Sequence, residues 1–388
     1  MTPEQGRIVL AFENKLKGLG IVGRVMDIVD GPIVSVYKVQ IGNSVPISKI
    51  INKAEDFALA AGVEKVLIQR EGSLINIYAA NTTRKDVDFK ETLTYIMTDE
   101  QAKKAVIPIP LGVDYKGAHS FIDLVECPHI LLAGSAGSGK SVFQSAILSI
   151  LQVARTRREV TINLVDTKRL DLPLFKALPI VDSCSETLEE YLQMMQEMLK
   201  VHERRGDLLN RFNARNIAEY NETVGKDNEL PRILILIDEF ADLIMQDRER
   251  RRDKDDPVRD FPRADFLLQR IAQVGRATGI HIIAATQRSS TRIISGDIKA
   301  NLPCRISLKL PTYTDSFTIL GQGGAENLLG KGDMLVQAPG SEDLKRYHGP
   351  LVNKPDIKYV TEEYQQVRNM YAMMSRKGVP CLAEESIQ

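Results

Sequence analysis

The sequence predicts an α/β fold with a mostly parallel sheet, preceded by a small α+β domain. Two observations indicate this fold class. Apolar segments alternate with helical segments in the second part of the chain, and a glycine-rich loop follows the first apolar segment. Such alternation is typical of a parallel sheet covered on both faces. The predicted strands lie near residues 129–133, 160–165, 232–237, 280–285 and 304–310, and the predicted helices lie near 140–152, 186–205 and 263–277.

The first domain is predicted over residues 1–115 and the second over residues 116–388. The first domain begins with a predicted helix over residues 4–17, because apolar side chains recur there at helical spacing. Its other predicted elements are strands near 21–28 and 32–41, a helix over 46–61, and a hairpin of strands at 65–69 and 74–79. We expect no catalytic group in this domain.

The composition narrows the class of protein. The 388 residues include 51 basic and 51 acidic side chains, which argues against a uniformly basic nucleic-acid coat but leaves room for a local basic surface. No apolar segment approaches the roughly 20 residues of a membrane span, and no secretory signal is visible. The cysteines are scattered, which predicts reduced thiols in a cytoplasmic protein rather than disulfides or a metal site. They are Cys127, Cys184, Cys304 and Cys381.

The glycine-rich loop fills every fixed position of the G-x-x-x-x-G-K-[ST] motif, with Gly134, Gly139, Lys140 and Ser141 at those positions. Glycines let successive backbone N–H groups surround phosphate oxygens. Lys140 is predicted to contact the β- and γ-phosphates of ATP, and the Ser141 hydroxyl to ligate Mg²⁺. The predicted nucleotide-binding residues are Gly134, Ser135, Ala136, Gly137, Ser138, Gly139, Lys140, Ser141 and Val142.

A second motif is the apolar strand Ile233–Ile237, which is followed by Asp238 and Glu239. Asp238 is predicted to hold Mg²⁺ through water, and Glu239 to orient and polarise the attacking water. An apolar strand that ends in two acids is a weak signal alone, but its place after the glycine-rich loop strengthens it. The two motifs predict ATP hydrolysis. A scaffold that binds ATP without productive turnover is the alternative, and intact Lys140 and Glu239 argue against it.

Other polar residues at strand ends allow two interpretations each. Gln287 is predicted to sense the γ-phosphate or position the water, and otherwise caps the next turn. Arg305 opens the following strand, where an arginine most often pairs with a neighbouring acid. In a ring of subunits, Arg305 would instead complete the site of the adjacent subunit. The same two readings, structural or functional, apply to Asp166 and Lys168.

A mixed-charge run occupies residues 246–261. It predicts a solvated loop between helices, as is usual for such runs. The alternative is a basic segment that touches nucleic acid, and we favour it less because acids nearly match bases.

Several segments together resemble the FtsK/SpoIIIE family of DNA translocases. The resemblance covers most of the chain, including the more weakly similar segments Gly31–Tyr37 and Ile47–Ala61. In combination these motifs are far more specific than the glycine-rich loop alone. The segments that carry the resemblance are Pro128–Gly134, Leu236–Leu243, Arg276–His281, Ala285–Arg288, Ile298–Ile306 and Gly323–Leu335.

The resemblance implies a RecA-like P-loop motor that uses ATP and Mg²⁺, assembles into a hexameric ring and threads double-stranded DNA through the central channel. By the same resemblance, Arg305 matches the arginine-finger position. The turn over residues 314–317 and the hairpin around Lys345 and Arg346 match loops that face the channel, so Lys345 and Arg346 are the predicted DNA contacts. The predicted catalytic residues are Lys140, Glu239, Gln287 and Arg305.

Departures from the family pattern concern the grip on DNA more than the ATPase. Phe317 stands where a basic residue is usual, and Ser289 stands where proline is usual. The chain also has no room for a C-terminal winged helix and no membrane spans. We therefore expect a free-standing phage, plasmid or mobile-element relative rather than an engineered motor core.

The alternative function is a secretion or conjugation-coupling ATPase of the same fold, which would move protein or a nucleoprotein. Such relatives carry membrane spans, several motor copies or a large helical insert. The sequence shows one motor without those features, so the DNA translocase is favoured.

Overall fold

The computed structural model describes residues 1–42 and 46–377 and arranges them around two β-sheets. The first sheet is antiparallel and belongs to the N-terminal part of the chain. Along the sheet the strand order is β1-β2-β4-β3. Its strands are β1 (Gly23–Asp30), β2 (Val34–Ile41), β3 (Val66–Glu71) and β4 (Leu74–Ala80).

Three helices pack with this sheet. Helix α1 (Pro3–Gly18) begins with a capping box, in which Thr2 and Gln5 satisfy each other's backbone N–H groups. The predicted helix over 46–61 is instead two helices, α2 (Ser48–Ile51) and α3 (Ala54–Ala61). The shared core contains, among others, Ile8, Phe12, Leu16, Tyr37, Phe57 and Ile77.

The second sheet has ten strands and confirms the predicted α/β class. Its central strands run parallel, and an antiparallel extension lies at one side. The strand order is β6-β5-β14-β13-β12-β7-β11-β10-β8-β9, where the strands are β5 (Pro108–Asp114), β6 (His119–Asp123), β7 (His129–Ala133), β8 (Val160–Val165), β9 (Val181–Ser185), β10 (Arg232–Ile237), β11 (Ile280–Thr286), β12 (Cys304–Leu308), β13 (Asp333–Gln337) and β14 (Leu344–His348).

Helices cover both faces of this sheet, so its central strands are buried on both sides. In β10, Ile233, Ile235 and Ile237 join one core, whereas Leu234 and Leu236 join the other, because alternate side chains of a strand point to opposite faces. The helices are α4 (Phe89–Thr98), α5 (Glu100–Lys104), α6 (Lys140–Ala154), α7 (Leu188–Arg211), α8 (Ile217–Thr223), α9 (Phe240–Arg250), α10 (Ala264–Thr278), α11 (Gly296–Asn301), α12 (Tyr313–Leu320) and α13 (Lys354–Lys377). None of the helices described is long and apolar enough to cross a membrane.

The two sheets divide the chain earlier than residue 115. Strand β5 already pairs with β14 of the second sheet, and α4 packs against α6 and α13. The first sheet ends with β4 at Ala80. Strand β5 pairs with β6, which follows it directly, and also with β14, more than 200 residues later, a pairing that sequence periodicity does not show. The domain limits themselves stay a prediction.

Two local predictions need correction. The mixed-charge run starts within α9, which ends at Arg250, and only its remainder forms the predicted, largely exposed connection to α10. Some of its charges are paired: Arg250 binds Asp256 and Glu189, and Arg251 binds Asp247 at 2.7 Å. The predicted turn at residues 314–317 lies within α12, which the Thr312 hydroxyl caps.

The scattered cysteines behave as expected where they are described. Cys127, Cys184 and Cys304 form no disulfide. Cys381 lies outside the described residues.

Candidate active site

The glycine-rich loop turns sharply between β7 and the first residue of α6. Gly137 and Gly139 have φ angles of 74° and 102°, a region that side chains disfavour. A Cβ on Gly139 would also lie 2.6 Å from the backbone nitrogen of Gly332. Glycine at these two positions therefore lets the loop take the form in which backbone N–H groups converge on an anion.

Neighbouring segments hold the loop in place. The N–H of Gly134 donates to the carbonyl of Thr286 at 3.1 Å, and both the N–H and the hydroxyl of Ser135 donate to the carbonyl of Lys309. On the other side, the N–H of Gly332 donates to the carbonyl of Ser138 at 2.9 Å. These bonds preform the loop, which lowers the entropy that ligand binding would otherwise cost.

The acid at the end of β10 lies against the lysine of the loop. Lys140 Nζ donates to the carbonyl of Asp238 at 2.9 Å and lies 2.5 Å from Asp238 Oδ1. The two side chains are only 3% and 6% exposed. Breaking such a buried pair is costly unless each charge gains a new partner. The pair is therefore poised to exchange partners with an anion and a cation together.

Glu239 is held by three donors from different segments. Its Oε1 accepts from the Thr286 hydroxyl at 2.6 Å, and its Oε2 accepts from the backbone N–H of Gln287 at 2.9 Å. Lys168 Nζ lies 3.5 Å from Oε2. The carboxylate is buried, and these contacts fix its position. A carboxylate held in one position near the phosphate loop is what a water-orienting base requires.

The structure gives Lys168 and Thr286 roles that the sequence does not. The sequence leaves the role of Lys168 open between structural and functional, and its contact with Glu239 places it at the site. The sequence indicates no separate role for Thr286, which contacts Glu239 through its hydroxyl. Its position directly before Gln287, at a strand end beside β10, was the available signal, because parallel strand ends converge on one edge of a sheet.

Asp166, by contrast, has a structural role. Its carboxylate accepts hydrogen bonds from five consecutive backbone N–H groups, from Lys168 through Leu172, at 3.0 to 3.2 Å. These bonds shape the loop after β8, and the loop in turn positions the Lys168 side chain.

A cavity of about 460 Å³ opens over the glycine-rich loop. Of the predicted residues, Lys140, Ser141 and Gln287 line it, as do most residues of the loop itself. Gly134 and Ser138 lie beneath the lining. The lining residues are Asp86, Val87, Ser135, Ala136, Gly137, Gly139, Lys140, Ser141, Val142, Phe143, Gln287, Lys331, Gly332, His348, Gly349, Pro350 and Leu351.

The far wall of the cavity was missed by the sequence analysis. It comes from the segment before β13, from the connection between β14 and α13, and from residues 86–87. Burial lowers the pKa of His348, so a neutral imidazole faces the cavity at neutral pH. Val87, Pro350 and Leu351 give this wall apolar surface that suits the base and sugar of a nucleotide, and Asp86 and Lys331 add charged groups to it. The glycine-rich motif carries no information on this wall.

The oxygen donors at the site fit Mg²⁺. Ser141 lines the cavity and Asp238 lies directly behind Lys140, and hydroxyl and carboxylate oxygens are ligands that Mg²⁺ accepts. No cluster of three or more His, Cys, Asp or Glu side chains suited to a metal occurs in residues 1–42 and 46–377. A Mg²⁺ ion at this place would thus be completed by phosphate oxygens and water, as this ion prefers. Ser138 Oγ, buried and without a partner within the described chain, supplies one more polar atom beneath the loop.

Arg305 does not line this cavity. It is half-buried on β12, its Nη1 donates to the side chain of Gln337 at 3.3 Å, and its Nε has no partner in the described chain. Burial lowers the pKa of Arg305. The expected pairing with a neighbouring acid is not seen among the described residues. Its arginine-finger role stays a prediction.

The two predicted DNA contacts differ sharply. Arg346 is buried, and it binds Asp333 through Nε at 2.9 Å and Nη2 at 2.6 Å. Its guanidinium also lies over the ring of Tyr78, 5.5 Å from the centroid, and so ties the two sheets together. A buried, bidentate ion pair cannot reach a DNA backbone, so the structure argues against Arg346 as a contact. Lys345 is exposed, and its role stays a prediction.

The strand order, the glycine-rich loop and the paired acids give the chain the fold of a P-loop ATPase motor domain. The conjugation coupling protein TcpA of pCW3, solved as a monomer with ATPγS, has a TM-score of 0.61 and is 22% identical, covering 95% of this chain and 100% of its own. The cytoplasmic domain of the type VII secretion ATPase EccC of Thermomonospora curvata has a TM-score of 0.61 and is 20% identical, covering 72% and 34%. At these identities the likeness shows the fold alone.

The chain belongs to the FtsK/SpoIIIE family, whose profile matches residues 93–291, and the FtsK alpha domain matches residues 5–75. It is 34% identical over 370 residues to DNA translocase FtsK of Staphylococcus aureus strain Mu50, with 91% of this chain and 45% of the relative covered. FtsK of Pseudomonas aeruginosa is also 34% identical, over 387 residues, with the same coverage. The chain spans about half the length of the curated relatives it matches. The predicted family is thereby confirmed.

Proposed function

We propose that the chain is an ATP-dependent double-stranded DNA translocase that works as a ring of six copies. The single observation that supports it most is the meeting of Lys140, Asp238 and Glu239 beneath a preformed phosphate loop. Family membership supports DNA as the substrate, because the relatives carry the name DNA translocase.

Nucleotide binding begins with the exchange of a buried ion pair. The phosphates of ATP would take the ammonium of Lys140, which at present donates to Asp238. Asp238 and Ser141 would then hold Mg²⁺, which neutralises phosphate charge when it is bound. The exchange keeps every buried charge partnered, so binding does not incur the desolvation cost of a lone carboxylate.

Hydrolysis depends on Glu239. We assign its carboxylate the task of orienting the attacking water and taking its proton. The Thr286 hydroxyl, the Gln287 N–H and Lys168 fix the carboxylate, so it does not have to be ordered at each turnover. Gln287 lines the cavity and is suited to sense the γ-phosphate.

Arg305 is assigned to the site of the neighbouring copy. It does not line its own nucleotide cavity, and in the described residues its guanidinium lacks a carboxylate partner. An arginine supplied in trans stabilises the charge that develops in phosphoryl transfer. This assignment ties turnover to assembly.

The test is the steady-state ATPase rate with linear duplex DNA of increasing length, at low and moderate salt. We expect the rate to rise with duplex length and the stimulation to fade with salt, since phosphate contacts release counterions. Glu239→Gln should bind ATP but lose turnover by roughly 10² to 10⁴-fold.

An ATPase rate that ignores duplex DNA at every length would contradict the proposal. It would instead support the secretion or conjugation-coupling function on the same fold. Unchanged turnover in Glu239→Gln would remove the assignment of the base without touching the choice of substrate.

A further inference from the structure

A second cavity, of about 550 Å³, lies between α9 and the segment after β11. Four arginines line it with a single acid, Glu249, although basic and acidic residues are equal in number over the whole chain. We call this cavity the arginine groove and define it by Arg248, Arg252, Arg288 and Arg292. We propose that it binds the phosphate backbone of double-stranded DNA, an inference that rests on the proposed function.

Two of the four guanidinium groups have no partner among the described residues. The exposed side chains of Arg252 and Arg292 make no hydrogen bond or ion pair in the part of the chain that is described. By contrast, Arg250 at the end of α9 and Arg251 directly after it are both paired with carboxylates. Unpaired guanidinium groups at the wall of a groove are available to an anion.

The other two arginines shape the groove while keeping donors free. Arg248 donates to the backbone carbonyl of Arg292 at 3.1 Å and so joins helix α9 to the segment after β11. Arg288 lies 3.9 Å from Asp242, a weak pair in which the arginine side chain remains 54% exposed. Asp265, 3.4 Å from Arg248, lies much closer to Arg263 at 2.5 Å.

The spacing of the arginines suits a long anion better than a small one. Arg248 lies in the last turn of α9, and Arg252 follows in the turn just after the helix ends, so both line the same wall of the groove. Arg288 and Arg292 are four residues apart on the opposite wall. Two rows of guanidinium groups over an open cavity of this size match a chain of phosphates, which guanidinium binds in bidentate fashion.

The groove also lies next to the nucleotide site along the chain. Gln287 lines the nucleotide cavity and its N–H bonds Glu239, and the next residue, Arg288, lines the arginine groove. The N–H of Arg288 donates to the Thr286 hydroxyl at 2.9 Å, and that hydroxyl also bonds Glu239. A DNA phosphate bound at Arg288 would therefore lie next in sequence to Gln287, whose N–H helps to fix the proposed base, Glu239.

The experiment measures binding of a short labelled duplex by fluorescence anisotropy across about 50 to 200 mM salt, with the full chain. The Arg252→Gln/Arg292→Gln variant should bind on the order of tenfold more weakly, and its slope of log affinity against log salt should fall by about 1.8, or about 0.9 for each lost phosphate contact. Arg252→Lys/Arg292→Lys should keep most of the slope, because the charge remains.

The matched control is Arg158→Gln. Arg158 is 80% exposed and pairs with the exposed Asp227, at the opposite edge of the sheet from the groove. It should leave both affinity and slope as in the unaltered chain. Thermal unfolding checks each fold, and should the double variant unfold, Arg252→Gln alone should still lower the slope by about 0.9.

The outcomes separate this inference from the proposed function. If the unaltered chain binds DNA and the double variant binds it with the same affinity and salt slope, the arginine groove is not a DNA-binding site. The proposed function would be unaffected by that result. Absence of salt-dependent DNA binding in the unaltered chain would contradict the function, and the groove with it. A parallel titration uses labelled polyglutamate as an acidic peptide. If the double variant loses polyglutamate binding but keeps DNA binding, an acidic peptide occupies the groove and the assignment to DNA is wrong.

Discussion

Two regions of the molecule each bury one ion pair between a basic residue and an aspartate, and they use it differently. At the phosphate loop, Lys140 binds Asp238 beside an open cavity. At the antiparallel pair of strands β13 and β14, which we call the ribbon, Arg346 binds Asp333, and its guanidinium lies over the ring of Tyr78. The first pair can exchange its partners for a ligand, whereas the second is enclosed by protein. The difference lies in the adjoining space: Lys140 lines a cavity of about 460 Å³, whereas Arg346 and Asp333 line one of only about 10 Å³, too small for a nucleotide.

The two regions also touch. Gly332, directly before β13, donates its N–H to the loop carbonyl of Ser138, and its carbonyl accepts from Gly349 after β14. The ribbon therefore supports the phosphate loop from behind. The structural pair keeps the ribbon in register, and the ribbon keeps one wall of the nucleotide cavity in place.

The largest expected effect is at the first pair. Lys140→Ala should lower ATP turnover by roughly 10³-fold or more, since it removes a donor aimed at the phosphates. It should also abolish detectable binding of a fluorescent ATP analogue. Steady-state kinetics and nucleotide titration measure both. Turnover close to that of the unaltered protein would show that the Lys140–Asp238 pair has no role in catalysis.

Breaking the second pair should affect stability first. Arg346→Leu leaves Asp333 buried without its partner, so the free energy of unfolding should fall by about 3 to 5 kcal/mol. Denaturant unfolding measures this change. The double variant Arg346→Leu/Asp333→Leu should recover much of the loss, because no lone charge remains. A stable Arg346→Leu protein that had lost DNA affinity would show that Arg346 contacts DNA, and would contradict a purely structural role for its ion pair with Asp333.

The contact between the regions can be weakened at one glycine. Gly332 has a φ angle of 98°, and a Cβ there would lie 3.2 Å from the carbonyl oxygen of Gly349. Gly332→Ala should cost about 1 to 3 kcal/mol of backbone strain and weaken ATP binding as the loop support shifts. Gly340→Ala is the matched control for strain, since Gly340 also has a positive φ but open space around it and lies in the turn between β13 and β14. Equal loss of ATP affinity in both variants would show that the Gly332 contact does not support the loop.

The smallest effect is expected at Lys345, the exposed neighbour of Arg346. Lys345→Gln should leave unfolding unchanged and reduce the salt slope of DNA binding by about 0.9 if the side chain meets one phosphate. Anisotropy titrations at several salt concentrations measure the slope. No change in slope would remove the remaining predicted contact on the ribbon.

Local patterns in the sequence were enough to predict the residues at the phosphate loop and at the end of the neighbouring strand β10. The loop, Lys140 and the acids after β10 lie within short segments whose spacing and apolarity identify them. The parallel sheet then brings their ends together, so the prediction needed no knowledge of long-range packing.

The ribbon could not be predicted in the same way. Arg346 lies opposite Leu335 and reaches Asp333 diagonally, a relation that depends on strand register. Its contact with Tyr78 depends on how the first sheet packs against the second. Likewise, His348 and Pro350 line the nucleotide cavity only because β14 returns beside β13. Sequence patterns show residue type and local period, whereas these roles follow from pairing between distant segments.

The most direct test of the central claim, that ATP hydrolysis at this P-loop drives movement along duplex DNA, is displacement of a triplex-forming third strand from a linear duplex. We predict ATP-dependent displacement whose delay grows with the distance between the duplex end and the triplex, and its loss in Glu239→Gln. Robust ATP hydrolysis with the third strand left in place at every distance would contradict the claim.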